Sequence, residues 1–176
     1  MQTQDAHINY ESKDREDRGP CLQYLTYTLD DEVFAMDVRS VREVIQYASI
    51  TTVPLMPVFV RGVVNLRGQV VPVIDLQSRL GRSVAHVRKK TCIIIFDGLS
   101  GGEKVAIGLM VDAVNEVIDI PDADVEPPPQ FGSSIRKEFI RGMGKVGAEF
   151  VVILESEKAL SIEDMAILAE QSCLKR

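Results

Sequence analysis

The chain has 176 residues, of which 45% are apolar and only 6% aromatic, so one or two small domains with an aliphatic core are expected. Its formal net charge of -6 disfavours nucleic acid, whose phosphates bind basic surfaces, and adsorption to anionic lipid. The three cysteines are far apart and form no C-x-x-C arrangement, which predicts neither a disulfide framework nor a zinc site. No apolar run reaches the roughly 18 residues of a membrane helix, and residues 1–20 lack the apolar region of a secretory signal. We therefore expect a cytoplasmic protein without direct membrane insertion.

The first half of the chain predicts two β-hairpins. Residues 1–20 are polar and form a predicted mobile tail. After them, "LQYLTYTL" and "VFAMDV" flank an acidic turn and predict the first hairpin. "VREVI" at Val41–Ile45 follows, and a loop that ends in "PLMP" leads to "FVRG" at Phe59–Gly62. The second hairpin is "GVVNLRGQVVPVIDL", in which Gly68 permits a tight turn with positive φ.

The second half repeats this plan. "TCIIIF" and "KVAIGLMV" predict a hairpin, and "VNEVI" at Val114–Ile118 follows it. A proline-rich stretch then leads to "FIRG" at Phe139–Gly142 and to the hairpin "GKVGAEFVVIL". Because V-x-E-V-I and F-[VI]-R-G recur in the same order, the sequence indicates an internal duplication.

The predicted fold is therefore mainly β, with two pseudo-repeated, five-stranded β barrels packed together. The two subdomains cover about residues 21–88 and 89–160, with approximate boundaries and a possible exchange of elements between them. Each unit is too small for an ample core of its own, which favours shared apolar surface and a groove between the units. Residues 161–176 predict a short C-terminal helix, because Ser161 is a plausible N-cap and apolar residues follow at helical spacing.

The sequence contains no pattern that indicates catalysis. Neither His7 nor His86 has metal-ligand spacing, the "GMG" of Gly142–Gly144 is typical of a turn, and the serines have no evident histidine partner. We expect no catalytic residue, no bound metal and no cofactor. The basic run of residues 82–90 is interpreted as a solvated linker between the halves, with a binding patch as the alternative.

The segments "LTYTLDDEVFAMDVRSVREV", "FVRGVVNLRGQVVPVIDL", "IGLMVDAVNEVI" and "EFIRGMGKVGAEFVVILESEKAL" resemble the family of the bacterial chemotaxis coupling protein CheW. The resemblance covers about residues 21–170, and "NLRG" followed by "VVPVIDL" is its most specific part. It implies two five-stranded barrels and a non-enzymatic scaffold adaptor. The implied partners are the regulatory domain of a CheA-type histidine kinase, the cytoplasmic tip of methyl-accepting chemoreceptors, and other CheW-like domains in rings. It also implies recruitment from the cytoplasm to membrane-associated receptor arrays.

Matched motif by motif, the resemblance implies seven partner-binding residues: Val41, Glu43, Gly62, Arg67, Ile107, Gly108 and Val117. The residues alone also fit a simpler interpretation. The three apolar side chains suit core packing, the two glycines suit backbone geometry, and the two charged groups suit plain solvation.

Two other functions remain open from the sequence. One is a same-fold adaptor in another chemosensory pathway, such as surface motility, because a fold does not fix a pathway. The other is a small β-barrel protein that binds a ligand.

Overall fold

A computed structural model describes residues 19–100, 102–128 and 137–159 of the chain. The predicted helix of residues 161–176 and residues 1–18 of the predicted tail lie outside these ranges. The strands of the described part are β1 (Cys21–Leu29), β2 (Glu32–Asp37), β3 (Val41–Gln46), β4 (Val60–Leu66), β5 (Gln69–Asp75), β6 (Cys92–Ser100), β7 (Glu103–Val111), β8 (Ala113–Pro121), β9 (Val125–Glu126), β10 (Ile140–Val146) and β11 (Glu149–Leu154). Two one-turn helices follow β5 and β11, and they are α1 (Leu76–Arg79) and α2 (Ser156–Ala159).

The strands form two sheets, which confirms the mainly β, two-unit architecture. One is six-stranded in the order β8-β1-β2-β11-β10-β9, and the other is five-stranded in the order β3-β6-β7-β5-β4. Each sheet takes strands from both halves of the chain. The first hairpin, β1–β2, joins the late strands, whereas the hairpin β6–β7 joins β3, β4 and β5. The subdomains 21–88 and 89–160 stay a prediction as folding units, because the described sheets do not follow that division.

The duplicated sequence forms duplicated backbone geometry. The strand register shifts between Val60 and Gly62 in one repeat and between Ile140 and Gly142 in the other, so each F-x-R-G motif carries a bulge. The second strand of each hairpin that follows F-x-R-G also pairs in parallel with the second strand of another hairpin, β5 with β7 and β11 with β2. The internal repeat is therefore present at the level of individual strand pairs.

The main core lies between the two sheets and is largely aliphatic. Tyr27 and Phe34 of the six-stranded sheet share one buried cluster with Phe96 and Ile107 of the five-stranded sheet. There are two smaller buried clusters in the described part of the chain. One surrounds Ile93 of the five-stranded sheet, and the other joins Tyr24 of β1 to Ile153 of β11 in the six-stranded sheet. Burial of this shared surface gives each small sheet the core that it lacks alone.

One arginine connects the two repeats. The guanidinium carbon of Arg79 lies 5.0 Å from the ring centroid of Phe59 and 4.8 Å from that of Phe139, which are the phenylalanines of the two F-x-R-G motifs. Its Nε also donates a hydrogen bond of 3.0 Å to the carbonyl oxygen of Ala159. The cation is thereby fixed between equivalent rings by cation–π attraction and by a hydrogen bond.

We expect Tyr27→Phe to leave the free energy of unfolding unchanged or to raise it by about 1 kcal/mol. The hydroxyl of Tyr27 is buried and has no hydrogen-bond partner within the described residues, so its desolvation is uncompensated. The burial also raises the pKa of Tyr27. Urea unfolding of the two proteins measures the difference, and a clear loss of stability in Tyr27→Phe would show that the hydroxyl has a partner.

Candidate functional site

The most distinctive surface feature is the turn between β4 and β5, where Arg67 projects into solvent. Arg67 and Gly68 both have positive φ, 51° and 84°, as a two-residue type I′ hairpin turn requires. The side-chain oxygen of Asn65 accepts a 2.9 Å hydrogen bond from the Gly68 amide and holds the turn in shape. The predicted tight turn at Gly68 is confirmed, and the positive φ of Arg67 itself is an addition that the sequence did not indicate.

Arg67 forms an ion pair with Glu43. Its Nη2 lies 2.8 Å from Oε2 of Glu43, and 77% of the arginine side chain remains exposed, against 28% of the glutamate side chain. Such a pair contributes little to stability, roughly 0–1 kcal/mol, because water screens it. A guanidinium has five N–H donors, so Arg67 keeps donors for a second carboxylate while Glu43 fixes its position.

The ion pair also brings together the two edges of the five-stranded sheet. Glu43 lies in β3 at one edge, and Arg67 directly follows β4 at the other. The sheet must therefore curl until these edges meet. Closure into a five-stranded barrel stays a prediction, because a side-chain contact, and not a described strand pair, joins β3 to β4.

Val41 and Gly62 lie in the two strands next to the ion pair, Val41 in β3 and Gly62 in β4. Gly62 is buried with φ of 145°, and a Cβ at this position would overlap the carbonyl oxygen of Thr51. The amide of Thr51 donates to Val63 and the amide of Val63 donates back, both at 2.9 Å, so the loop before β4 is tied to it. Val41 is half-buried against the main core. Both residues shape the strands that carry Glu43 and Arg67.

Ile107 and Gly108 are buried and present no side chain at the surface of this structure, and their role in partner binding stays a prediction. Ile107 is 0% exposed within the main core, and Gly108 is buried beside Val73 and Ile93. The reason is that β7 is covered on both faces, since Ile107 packs in the main core and Gly108 faces Val73 and Ile93 of the second cluster. In this conformation the two residues contribute packing of β7.

Val117 does lie on a surface, and it has a counterpart that the sequence reasoning missed. Val117 is 49% exposed on the edge strand β8, and Val44 is 40% exposed on the edge strand β3. They occupy the same position in the two copies of V-x-E-V-I. The repeat itself could have identified Val44, because equivalent residues of duplicated edge strands face solvent in the same way.

A second missed feature is the loop before β4. Its side chains Leu55, Met56 and Val58 are all exposed and apolar. The run "PLMPV" could have indicated this, because a short loop of large apolar residues has few ways to bury them.

A cleft of about 630 Å³ lies where residues of the two sheets meet. It is consistent with the expected groove between the packed units, and its lining is mostly polar. Most of its lining is charged, and the charged residues are Asp37, Arg39, Asp97, Lys104, Arg141, Glu155 and Glu157.

Asp37 organises one wall of this cleft. Its Oδ2 accepts a 2.6 Å hydrogen bond from Nη2 of Arg39, and its Oδ1 accepts a 2.9 Å hydrogen bond from the backbone amide of Arg39. Arg141 approaches the same carboxylate at 3.8 Å. The side-chain hydrogen bond from Arg39 is the main reason that the pKa of Asp37 lies below its ordinary value. The charges of this wall are thus largely satisfied within the protein.

Within the described ranges, no group of three or more histidine, cysteine, aspartate or glutamate residues is arranged to hold a metal ion. The helices of the described part include none that is long and apolar enough to span a membrane. The described surface therefore offers charged and apolar side chains on a β framework.

Known proteins with this architecture belong to a class of scaffold modules. Residues 23–164 match the family model of the CheW-like domain. The chain is 32% identical over 146 residues to the chemotaxis protein CheW of Klebsiella aerogenes, covering 83% of this chain and 86% of that protein. It is 28% identical over 121 residues to the protein FrzA of Myxococcus xanthus, covering 69% of this chain and 73% of that protein.

A solved structure agrees with these matches. The crystal structure of the scaffolding protein TtCheW from Thermoanaerobacter tengcongensis superposes with a TM-score of 0.72 at 35% identity, covering 81% of this chain and 94% of that chain. The chain therefore belongs to the CheW-like family of scaffold adaptors, as the resemblance implied.

We expect Gly62→Ala to destabilise the protein by about 2–4 kcal/mol, because it combines an unfavourable φ with overlap against the backbone of Thr51. Thermal unfolding measures the loss. Gly68→Ala is the matched control, since its Cβ would meet open space and only the cost of positive φ applies. Equal losses in the two variants would contradict the role of Thr51.

We expect Asp37→Asn to lower stability at neutral pH and to matter less as the pH falls. The folded-state pKa of Asp37 is lowered from 3.8, so the stabilisation is complete above 3.8 and is lost as the pH falls through the lower, folded-state value. Denaturant unfolding of both proteins along a pH series measures the difference. A difference that stayed constant down to the most acidic point would contradict the ionic origin of the effect.

Proposed function

We propose that this chain is a non-enzymatic scaffold adaptor that couples chemoreceptors to a CheA-type histidine kinase in bacterial chemotaxis. Its family membership supports the adaptor role, and the chemotaxis proteins that it resembles support the pathway. The proposed partners are the regulatory domain of the kinase, the cytoplasmic tip of the receptors, and other CheW-like domains in rings. The chain would work in the cytoplasm, at membrane-associated receptor arrays, without a cofactor or a metal.

The observation that carries this proposal is the turn that displays Arg67. Positive φ is uncommon for residues other than glycine, and arginine is not among the residue types enriched there, so the backbone presents this side chain at a conformational cost. Glu43 then pairs with the guanidinium without burying it. A preorganised, exposed guanidinium suits recognition of a carboxylate or of carbonyl groups at a helix end.

The proposed partner contacts are the exposed residues of the motif-matched set. Arg67 and Glu43 form a polar contact at one end of the five-stranded sheet, and Val117 offers an apolar contact on the edge strand β8. Val41 and Gly62 would act on binding by shaping these strands. Weak contacts of this kind become effective in an array, because neighbouring contacts raise the effective concentration of each partner.

A second candidate function is the same adaptor role in another chemosensory pathway. The match to FrzA of Myxococcus xanthus supports this alternative, because FrzA covers 69% of the chain with 28% identity. Binding assays against the receptor tips and CheA-type kinases of each chemosensory gene cluster in the same genome would distinguish the two. Preferential binding to a cluster other than that of flagellar chemotaxis would favour the alternative.

We expect Arg67→Glu to weaken the receptor–kinase assembly by about tenfold or more, because a like-charge contact at an interface is costly. Its stability should change by less than about 0.5 kcal/mol, since the side chain is exposed. Receptor-stimulated kinase activity in a reconstituted mixture measures the first effect and thermal unfolding measures the second. Lys137→Glu is a matched control, because it makes the same charge change at an exposed residue of another segment.

The outcomes of this experiment separate three cases. Loss of activity with normal unfolding supports the proposal. An unstable Arg67→Glu protein would assign the residue to the fold. Full activity in a stable Arg67→Glu protein would leave the arginine as a solvated charge and remove the observation on which the proposal depends.

A further inference from the structure

The two repeats differ at the position where the first repeat has its ion pair. Glu116 occupies the same place in V-x-E-V-I as Glu43. The first repeat supplies Arg67 at the following hairpin turn, but the second repeat has Gly147 and Ala148 at its hairpin turn. Within the described part of the chain, Glu116 takes part in no salt bridge. The second repeat therefore exposes a carboxylate where the first repeat neutralises one.

Glu116 lines a groove of about 810 Å³ on the six-stranded sheet, called here the acidic groove. Its apolar part includes three exposed side chains, those of Val33, Val146 and Phe150, of which Phe150 is 49% exposed. Its charged residues are all acidic, and they are Asp31, Glu32, Glu116 and Glu149. An apolar floor with an acidic rim suits a ligand segment that combines aliphatic and basic side chains.

The chain itself contains such a segment in residues 84–90, called here the basic loop. Val84 and Val87 are exposed apolar side chains, and Arg88, Lys89 and Lys90 are exposed basic ones. The buried carboxylate of Asp75 accepts a 2.8 Å hydrogen bond from the Ala85 amide, which ties the start of the loop to the protein. The basic loop is therefore an exposed surface whose charge is opposite to that of the acidic groove.

Both surfaces flank the turn between β1 and β2. Arg82, just before the basic loop, pairs with Glu32 of the acidic groove at 2.6 Å. At the far end of the loop, β6 begins at Cys92, which pairs with Val111 of β7. The residue after Val111 is Asp112, and its amide donates a 3.0 Å hydrogen bond to the carbonyl oxygen of Thr28 in β1. Two complementary surfaces on one side of a molecule permit reciprocal pairing about a twofold axis.

We propose that the acidic groove binds the basic loop of a second copy of this chain, which gives a closed dimer with two identical contacts. Each groove receives Val84 or Val87 on its apolar floor, and the carboxylates of Glu116 and Glu149 pair with the cations of Arg88, Lys89 and Lys90. This pairing places a cation from the second copy at the carboxylate for which the second repeat provides none. The dimer does not depend on the kinase or the receptor.

The first test is the oligomeric state of the purified full chain. Sedimentation velocity over a concentration series should show a reversible monomer–dimer equilibrium. The association should weaken as sodium chloride rises, because charges across a rim are screened within about 8–10 Å at physiological ionic strength. A monomer at every concentration that stays in solution, or open-ended growth into larger species, would overturn the proposal.

The second test is a charge swap. Glu116→Lys with Glu149→Lys reverses the groove, and Lys89→Glu with Lys90→Glu reverses the loop. Each pair of substitutions should weaken dimerisation by about tenfold or more through like-charge contact, and all four in one chain should restore it. Asp119→Lys with Asp122→Lys is the matched control, because it makes the same charge change on exposed residues outside the groove.

Each result of the swap bears on the proposal. Restored dimerisation in the fourfold variant supports the pairing of these two surfaces. Failure to restore it, with folded proteins by circular dichroism, overturns the pairing, as does a loss in the control equal to that in the groove variant. If the lysine variants of the groove do not fold, Glu116→Gln with Glu149→Gln provides the same comparison with a smaller expected loss. Kinase coupling is measured separately, so failure of the dimer and failure of the proposed function remain distinguishable.

Discussion

A single guanidinium, that of Arg79, contacts both repeats beside the shared apolar core that holds the two sheets together. It lies between Phe59 and Phe139, and each of these phenylalanines directly precedes a bulged strand in its own repeat. The carbonyls of the two phenylalanines accept the amides of Asp75 and Glu155, at 2.7 and 2.8 Å, so each ring position is coupled to the end of a hairpin. Because a planar cation can stack on two rings and still donate to Ala159, one residue aligns both repeats.

This shared framework carries surfaces that have diverged. In the five-stranded sheet, Arg67 neutralises Glu43 and remains exposed, whereas the equivalent Glu116 in the six-stranded sheet lies in an acidic groove. Substitutions at a turn or a rim change a partner without disturbing a strand pair. A duplicated fold can therefore keep two copies of one backbone and use them for different contacts, since fold and site are separate properties.

The buried members of the motif-matched set show how a binding defect can arise away from a surface. Ile107 and Gly108 pack on opposite sides of β7, and a Cβ at Gly108 would come within 3.2 Å of Val73. Changes at either residue would shift the central strand of the five-stranded sheet and, through it, the edges that carry Glu43 and Arg67. A loss of binding in a variant at such a position can be interpreted only if the stability of that variant is also measured.

The sequence by itself determined the local structure: the hairpins, the turn at Gly68, the two F-x-R-G motifs and the repeat that they mark. These follow from alternation, glycine chemistry and short-range spacing, which are encoded within a few residues. Only the tertiary structure decided that the hairpins are exchanged between the sheets, that Ile107 is buried, and that Glu116 lies in a groove whose charged residues are all acidic. Those outcomes depend on contacts between residues distant in the chain, and a pattern of neighbouring residues contains no information on which distant strand will cover it.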